Sequence, residues 1–205
     1  PLRDYQSRSV AAVEASWTTR RAVCLVAPTG SGKTRMGSEL AVRHGRRVLW
    51  VTHRVELVDQ SRDALEAVGL DVGVLVGRRA ENTEANTVVA GWQTLVARAH
   101  VRPAADLIIV DECHHAAADE WRVVLDAYPD AKLLGLTATP YRVDGRGLRE
   151  AFDEILVAAT VGDLIADGYL ARPRTWTVPE SHRPQLKGLQ VLGGDYAVPA
   201  LEKRV

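Results

Sequence analysis

Directly after the apolar run 22–27, the chain reads Ala27-Pro28-Thr29-Gly30-Ser31-Gly32-Lys33-Thr34 and continues into a helix-forming segment. A strand that ends in a glycine-rich loop and feeds a helix admits few folds, because the loop needs a sheet edge behind it and a helix N-terminus in front. Gly30 and Gly32 allow backbone conformations that a side chain would block, so successive N–H groups can converge on a phosphate near a helix end that already favours anions. Lys33 adds a positive charge suited to β- and γ-phosphate oxygens, and the Thr34 hydroxyl suits Mg²⁺. Pro28, Thr29 and Ser31 complete the candidate loop. The strict form of this loop begins with Gly, whereas Ala27 stands first here, so the match is to a variant.

The rest of the chain repeats the strand-then-helix alternation. Apolar, β-branched runs at 22–27, 48–52, 72–76, 87–90, 107–110 and 132–136 read as strands. Between them 3–19, 33–44, 55–68, 92–99 and 120–128 read as helices, with Gly45 and Gly69 as C-terminal caps. Uninterrupted apolar strands alternating with helices imply an α/β domain: a doubly wound, mostly parallel sheet with helices on both faces. From about residue 160 the pattern changes to a helix at 161–167, a turn at Gly168, a strand near 172–178 and a loose tail rich in Pro and Gly. Residues 1–159 are therefore expected to form the nucleotide-binding domain, and 160–205 a segment that completes it and leads onward.

The 26 basic residues balance 26 acidic ones, which argues against a wholly basic nucleic-acid coat but leaves room for a local basic face. No apolar stretch approaches the roughly 18 residues of a membrane helix, and the polar N-terminus lacks the core of a secretion signal. Two cysteines cannot build a disulfide framework, so a reducing cytoplasm is the expected location, with no membrane partner. The sole methionine is Met36, and residues 199–205 open like a helix and stop without a Gly or Asn cap. These ends read as those of a fragment, although a native helix that frays explains the second equally well.

The run 107–110 delivers Asp111-Glu112-Cys113-His114 at its C-terminal end, the edge where open parallel sheets bind ligands. There Asp111 would hold Mg²⁺, directly or through water, and Glu112 would orient and deprotonate the water that attacks a γ-phosphate. Taken alone, an Asp-Glu pair is a solvated acidic turn; its place at a strand end beside the glycine loop gives it chemical meaning. Cys113, His114 and His115 invite a zinc reading, but consecutive residues project in different directions and Cys24 is the only other thiol. Thr52 and Arg54 follow one strand, and Gln93 and Thr94 follow another, each pair opening a helix where a phosphate could sit. Ordinary helix capping explains the same spacing, with Trp92 in the core.

These motifs, in this order, resemble the first RecA-like motor domain of a superfamily 2 DEAD/DEAH-box helicase, with Asp111-Glu112-Cys113-His114 as a DECH variant. The resemblance implies that Gln6, within Leu2-Arg3-Asp4-Tyr5-Gln6, hydrogen-bonds the adenine edge while Arg3 packs on the ring. It implies that Thr137-Ala138-Thr139, with His114, couples hydrolysis to movement. It implies too that the segments around Thr52, Arg54, Gln93 and Thr94 grip one strand's backbone. The stretches 140–148 and 164–170 are similar to a bacterial and phage branch related to repair and transcription helicases. The implied activity is ATP hydrolysis with Mg²⁺, driving translocation or unwinding on nucleic acid, DNA ahead of RNA. It would need arginines from a second RecA-like domain, so this chain, expected to be monomeric, should turn ATP over poorly alone. The alternatives are a nucleotide-gated binding or scaffold module without hydrolysis, and the motor of a restriction or remodelling translocase.

Overall fold

The computed structural model describes residues 1–44, 46–115, 124–139, 148–174, 191–192 and 195–196. Its strands are β1 (Ala22–Val26), β2 (Val48–Thr52), β3 (Val72–Val76), β4 (Arg79–Glu81), β5 (Thr87–Gly91), β6 (Leu107–Asp111), β7 (Lys132–Thr137) and β8 (Glu154–Val157). Its helices are α1 (Asp4–Ser16), α2 (Lys33–His44), α3 (Glu56–Glu66), α4 (Trp92–Ala97) and α5 (Val161–Ala166). The eight strands form one sheet in the order β4-β3-β5-β2-β6-β7-β1-β8. Every pairing is parallel except β3 with β4. The chain divides into two compact units, Pro1–Leu170 and Ala171–Val205. In the second, β9 (Val191–Leu192) pairs antiparallel with β10 (Asp195–Tyr196).

The strand sequences lack polar alternation because the sheet is covered on both sides. Side chains alternate across a strand, so β2 sends Val48 and Trp50 to one face and Leu49 and Val51 to the other. One face packs against Val10 and Val13 of α1, Met36 and Leu40 of α2, and Val58 and Leu65 of α3. The other packs against Trp92 and Leu95 of α4 together with Tyr128, Leu148 and Phe152. β1, β2, β3 and β5 are buried at every position, as parallel strands between two helical layers must be.

All six expected strands are present, and the doubly wound class holds. Two further strands join them: β4, whose Arg-Ala-Glu lacks an apolar signal, and β8, a short edge strand. The helices at 3–19, 55–68 and 92–99 are shorter than expected by one to three residues at each altered end, where fraying and capping compete. Of the helix expected at 120–128, Val124 and Leu125 are helical, and 120–123 lie outside the described residues. Residues 172–174 form no strand, while 175–178, Gly45, the stretch 140–147 and the terminal 199–205 lie outside the described residues.

What this topology does for function is to gather motifs at one margin. The C-terminal ends of β5, β2, β6, β7 and β1 lie side by side, so residues that follow Gly91, Thr52, Asp111, Thr137 and Val26 become neighbours.

Candidate nucleotide-binding site

The glycine loop joins β1 to α2 and is held from three directions. Ala27 N donates to Thr137 O of the neighbouring strand at 2.9 Å, and Ser31 N donates back to Pro28 O at 3.1 Å. Ser31 O accepts from Tyr5 Oη at 2.5 Å and from Gln6 Nε2 at 2.8 Å, so the first turn of α1 clamps the loop. Gly32 has φ +81°, and a Cβ there would lie 2.6 Å from Gln6 Nε2; only glycine permits this approach. Gln6 Oε1 accepts from Arg3 N at 2.9 Å, which fixes the amide in one orientation. Thr29, Gly30, Gly32, Lys33 and Thr34 line a cavity of about 390 Å³ closed on its far side by Asp111 and Glu112.

This donor set fits a polyphosphate. Two left-handed glycines aim backbone N–H groups, Lys33 is buried to 9% exposure and lines the cavity, and the buried Ser31 Oγ has no hydrogen-bond partner among the described residues. Thr34 and Asp111 face the same cavity and form the hydroxyl and carboxylate pair suited to a divalent cation.

The acidic turn carries strain and misfit charge. Glu112 has φ +49°, a left-handed conformation unusual for a side chain of its size, and its N–H donates to Asp111 Oδ1 at 3.1 Å. Burial, and then the negative charge of Glu112, push the Asp111 carboxyl up to about 6, against the opposing pull of Lys33. Glu112 Oε1 lies 3.5 Å from Lys33 Nζ, and Glu112 Oε2 lies 3.3 Å from His114 Nδ1. His114 Nδ1 also lies 2.8 Å from Thr137 Oγ1, which accepts from Thr139 N and donates to Thr139 O, both at 3.0 Å. Thr137 Oγ1 thus links the His114 ring to the backbone of Thr139. A continuous polar chain therefore runs Lys33, Glu112, His114, Thr137, Thr139. The Cys113 thiol is buried, lies 3.8 Å from Cys24 Sγ, and is pushed up by burial and by that neighbour.

The candidate nucleic-acid residues divide into two kinds. The register Thr52↔Gly91 brings the ends of β2 and β5 together, and Gln93 Nε2 donates to His53 O at 3.4 Å. Thr52 is buried and donates to Arg54 O at 3.2 Å, which spends the hydrogen a phosphate would need. Thr94 is buried and accepts from Gly77 N at 2.8 Å. Arg54 and Gln93 are the exposed members. Trp92 is 2% exposed with the His53 ring stacked on it at 5.6 Å, so it belongs to the core. Arg54 also lines a second cavity of about 350 Å³ that shares Asp111 and Glu112 with the first and reaches His114 and Thr139.

Five contributors escaped sequence reasoning. Tyr5 clamps the loop, and its signal was its place beside Gln6. Leu57, Gln60 and Ser61 of α3 line the loop cavity, legible only once α3 is known to pack beside it. Tyr169 lies under Arg3, whose guanidinium carbon is 4.6 Å from the ring centroid; a contact between residues 3 and 169 leaves no local signature.

A mostly parallel sheet that sets a Gly-Lys-Thr loop and an acidic pair on one edge defines a RecA-like P-loop domain, of the kind found in superfamily 2 helicases. The chain belongs to the family of the type III restriction enzyme res subunit, whose model matches residues 1–142. A 51.5 kDa protein of a Lactococcus phage is 32% identical over 181 residues, covering 85% of this chain and 36% of that protein. The DNA 3'-5' translocase XPB2 of Sulfurisphaera tokodaii is 29% identical over 147 residues, covering 71% of this chain and 32% of that protein. This chain thus spans about a third of the length of these curated relatives. The UvsW helicase of bacteriophage T4 shares the fold with a TM-score of 0.62 at 21% identity, over 76% of this chain and 60% of that one. Among the described residues no helix is long and apolar enough to cross a membrane.

Proposed function

We propose that this chain binds ATP with Mg²⁺ and is the first half of a motor that hydrolyses ATP to move along nucleic acid, DNA in preference to RNA. The observation that carries this reading is the 3.5 Å approach of Lys33, at the phosphate loop, to Glu112, at the end of β6, across one cavity. The DNA preference draws on a relative named as a DNA translocase. We place its work in the cytoplasm, in keeping with two buried, unpaired cysteines.

Lys33 and the N–H groups of 30–34 hold the β- and γ-phosphates, and Gln6 and Arg3 hold the base. Thr34 and Asp111 would hold Mg²⁺, which neutralises charge on the phosphate oxygens when bound. Glu112 orients a water on the γ-phosphorus and accepts its proton as the new P–O bond forms and the bond to the ADP oxygen breaks, leaving ADP and orthophosphate. Lys33 and His114 fix the two oxygens of Glu112 from opposite sides, so the carboxylate is aimed before substrate arrives. The His114–Thr137–Thr139 chain carries any shift of Glu112 into the 137–139 segment at the end of β7. Arg54 and Gln93 contact backbone phosphates, which confers salt sensitivity and little sequence preference.

Full turnover calls for arginines from a second motor domain in the longer protein, since an arginine finger is worth about 10³ to 10⁵ in rate in related hydrolases. We assign residues 1–159 to the ATP-binding domain and 160–205 to the passage toward that partner. Steady-state ATP hydrolysis with and without DNA or RNA tests this. The expected result is nucleotide binding that is lost in Lys33→Ala, with feeble turnover by this chain. Fast, nucleic-acid-stimulated turnover that persists in Glu112→Gln would sink the assignment.

A further inference from the structure

Residues 160–170 have no task in the chemistry above, yet they are built against it. Thr160 N donates to Asp163 Oδ2 at 2.9 Å and Asp163 N donates to Thr160 Oγ1 at 3.1 Å, a reciprocal cap that starts α5. Gly168, at φ +74°, ends it, and both Tyr169 N and Leu170 N donate to Leu164 O, at 2.8 and 2.9 Å. Leu164 itself is fully buried. This tight reversal delivers two side chains to the loop region. Leu170 Cδ2 comes within 3.2 Å of where a Cβ on Gly30 would lie, and the Tyr169 ring meets Tyr5 at 5.4 Å between centroids.

On the Tyr169 ring lies Arg3, its guanidinium carbon 4.6 Å from the centroid. Among the described residues that guanidinium makes no hydrogen bond or ion pair, so the aromatic face is what holds it. In the first turn of α1, Gln6 Nε2 donates to Ser31 O at 2.8 Å and makes a long contact to Tyr5 Oη at 3.4 Å, while Gln6 Oε1 accepts from Arg3 N at 2.9 Å. The lone pair left on Oε1, and an N–H held only by the long Tyr5 contact, are the pattern that meets the 6-amino group and N7 of adenine.

We propose that Tyr169 is a positioning residue for the nucleotide base: it holds the Arg3 guanidinium flat, so that the opposite face of Arg3 takes the adenine ring while Gln6 reads its edge. This rests on the ATP-binding reading above. An unrestrained Arg side chain would lose rotamer freedom on stacking; the Tyr169 contact removes that loss in advance.

The test is calorimetric binding of ATP and of inorganic tripolyphosphate to this chain and to Arg3→Ala, Tyr169→Ala, Tyr169→Phe and the Arg3→Ala/Tyr169→Ala double variant. Tyr169→Ala is expected to weaken ATP about three- to fivefold, the size of an exposed cation–π contact, and to leave tripolyphosphate unchanged. Tyr169→Phe keeps the ring and retains wild-type ATP affinity. The double variant binds ATP no more weakly than Arg3→Ala, because Tyr169 acts through Arg3. Equal weakening of ATP and tripolyphosphate in Tyr169→Ala, or a double variant whose losses add, overturns the proposal and leaves Tyr169 as a prop for the loop. If the wild-type chain prefers ATP to tripolyphosphate yet Arg3→Ala does not reduce that preference, the positioning role fails while nucleotide binding stands. If it binds neither compound, the ATP reading fails as well.

Discussion

Two sets of charges in this molecule make opposite use of geometry. On the β3–β4 side of the sheet, Arg79 pairs with Asp59 at 2.7 Å and with Glu81 at 2.8 Å, while Arg62 pairs with Glu66 at 2.8 Å and with Glu81 at 3.3 Å. These contacts are short and well matched; Arg79 is pulled upward and Glu81 downward by each other, and all are open to solvent. At the loop, Lys33, Glu112 and His114 stand 3.3 to 3.5 Å apart, more enclosed, with Glu112 on a strained backbone and Asp111 held against its own ionisation. Water screens the first set, so good geometry there contributes little to stability. The second set combines longer contacts with enclosure and a strained backbone, the arrangement in which perturbed groups cluster at functional sites. Misfit, not close pairing, marks the working end of the sheet.

The contrast is sharpest for the carboxylates. In the presence of a second motor domain, Glu112→Gln should lower ATP turnover by at least about 10², the scale of a lost general base, while nucleotide binding survives. Single-turnover kinetics check this, and a loss of binding with no loss of the chemical step would reverse the roles of Glu112 and Lys33.

Asp111 offers a stability test of the same idea. Its pKa is raised from 3.8 to about 6, so between those values the folded protein binds the proton more tightly than the unfolded chain. The stability this group contributes is complete below about pH 4 and is lost as pH rises through 6, a difference on the order of 3 kcal/mol. Asp111→Asn, which cannot ionise and can keep the hydrogen bond from Glu112 N, should therefore raise the melting temperature of the nucleotide-free chain at neutral pH. The gain should shrink toward pH 4, and parallel melting curves for the two proteins across that range would remove burial as the cause.

A smaller effect is expected at the nucleic-acid residues. Arg54→Ala should weaken DNA binding several-fold at low salt and reduce the slope of log affinity against log salt by about one, with no change in sequence preference. Fluorescence anisotropy over a salt series measures both. Smallest of all is Arg79→Ala, which should leave the melting temperature and nucleotide binding where they were; a clear destabilisation would show that the surface network matters more than its exposure suggests.

Much of this was legible in the sequence, and what was not has a physical reason. The strands announced themselves because both faces are buried, so runs such as Val-Leu-Trp-Val-Thr at 48–52 carry no polar alternation. β4 hid because Arg79-Ala80-Glu81 is an exposed edge with no apolar signal. The loop and the acidic pair were readable from residue type and from position at strand ends. Their mutual approach was not, since it depends on β7 lying between β6 and β1. Thr52 and Thr94 read as phosphate ligands by spacing; the structure buries both, and Thr52 donates its hydrogen to Arg54 O while Thr94 Oγ1 accepts from Gly77 N, partners that spacing does not reveal.

The strand order also sets a timetable. β1, which carries the phosphate loop, pairs with β7 and β8, so its sheet partners are residues 133–137 and 154–157. During synthesis β2, β3 and β5 can assemble among themselves long before those residues leave the ribosome, while β1 must wait with both edges open. Contacts of such long sequence separation form slowly, and unpaired apolar strands are exposed to aggregation meanwhile. On this strand order the strand that carries the phosphate loop is one whose sheet partners lie more than a hundred residues further along the chain.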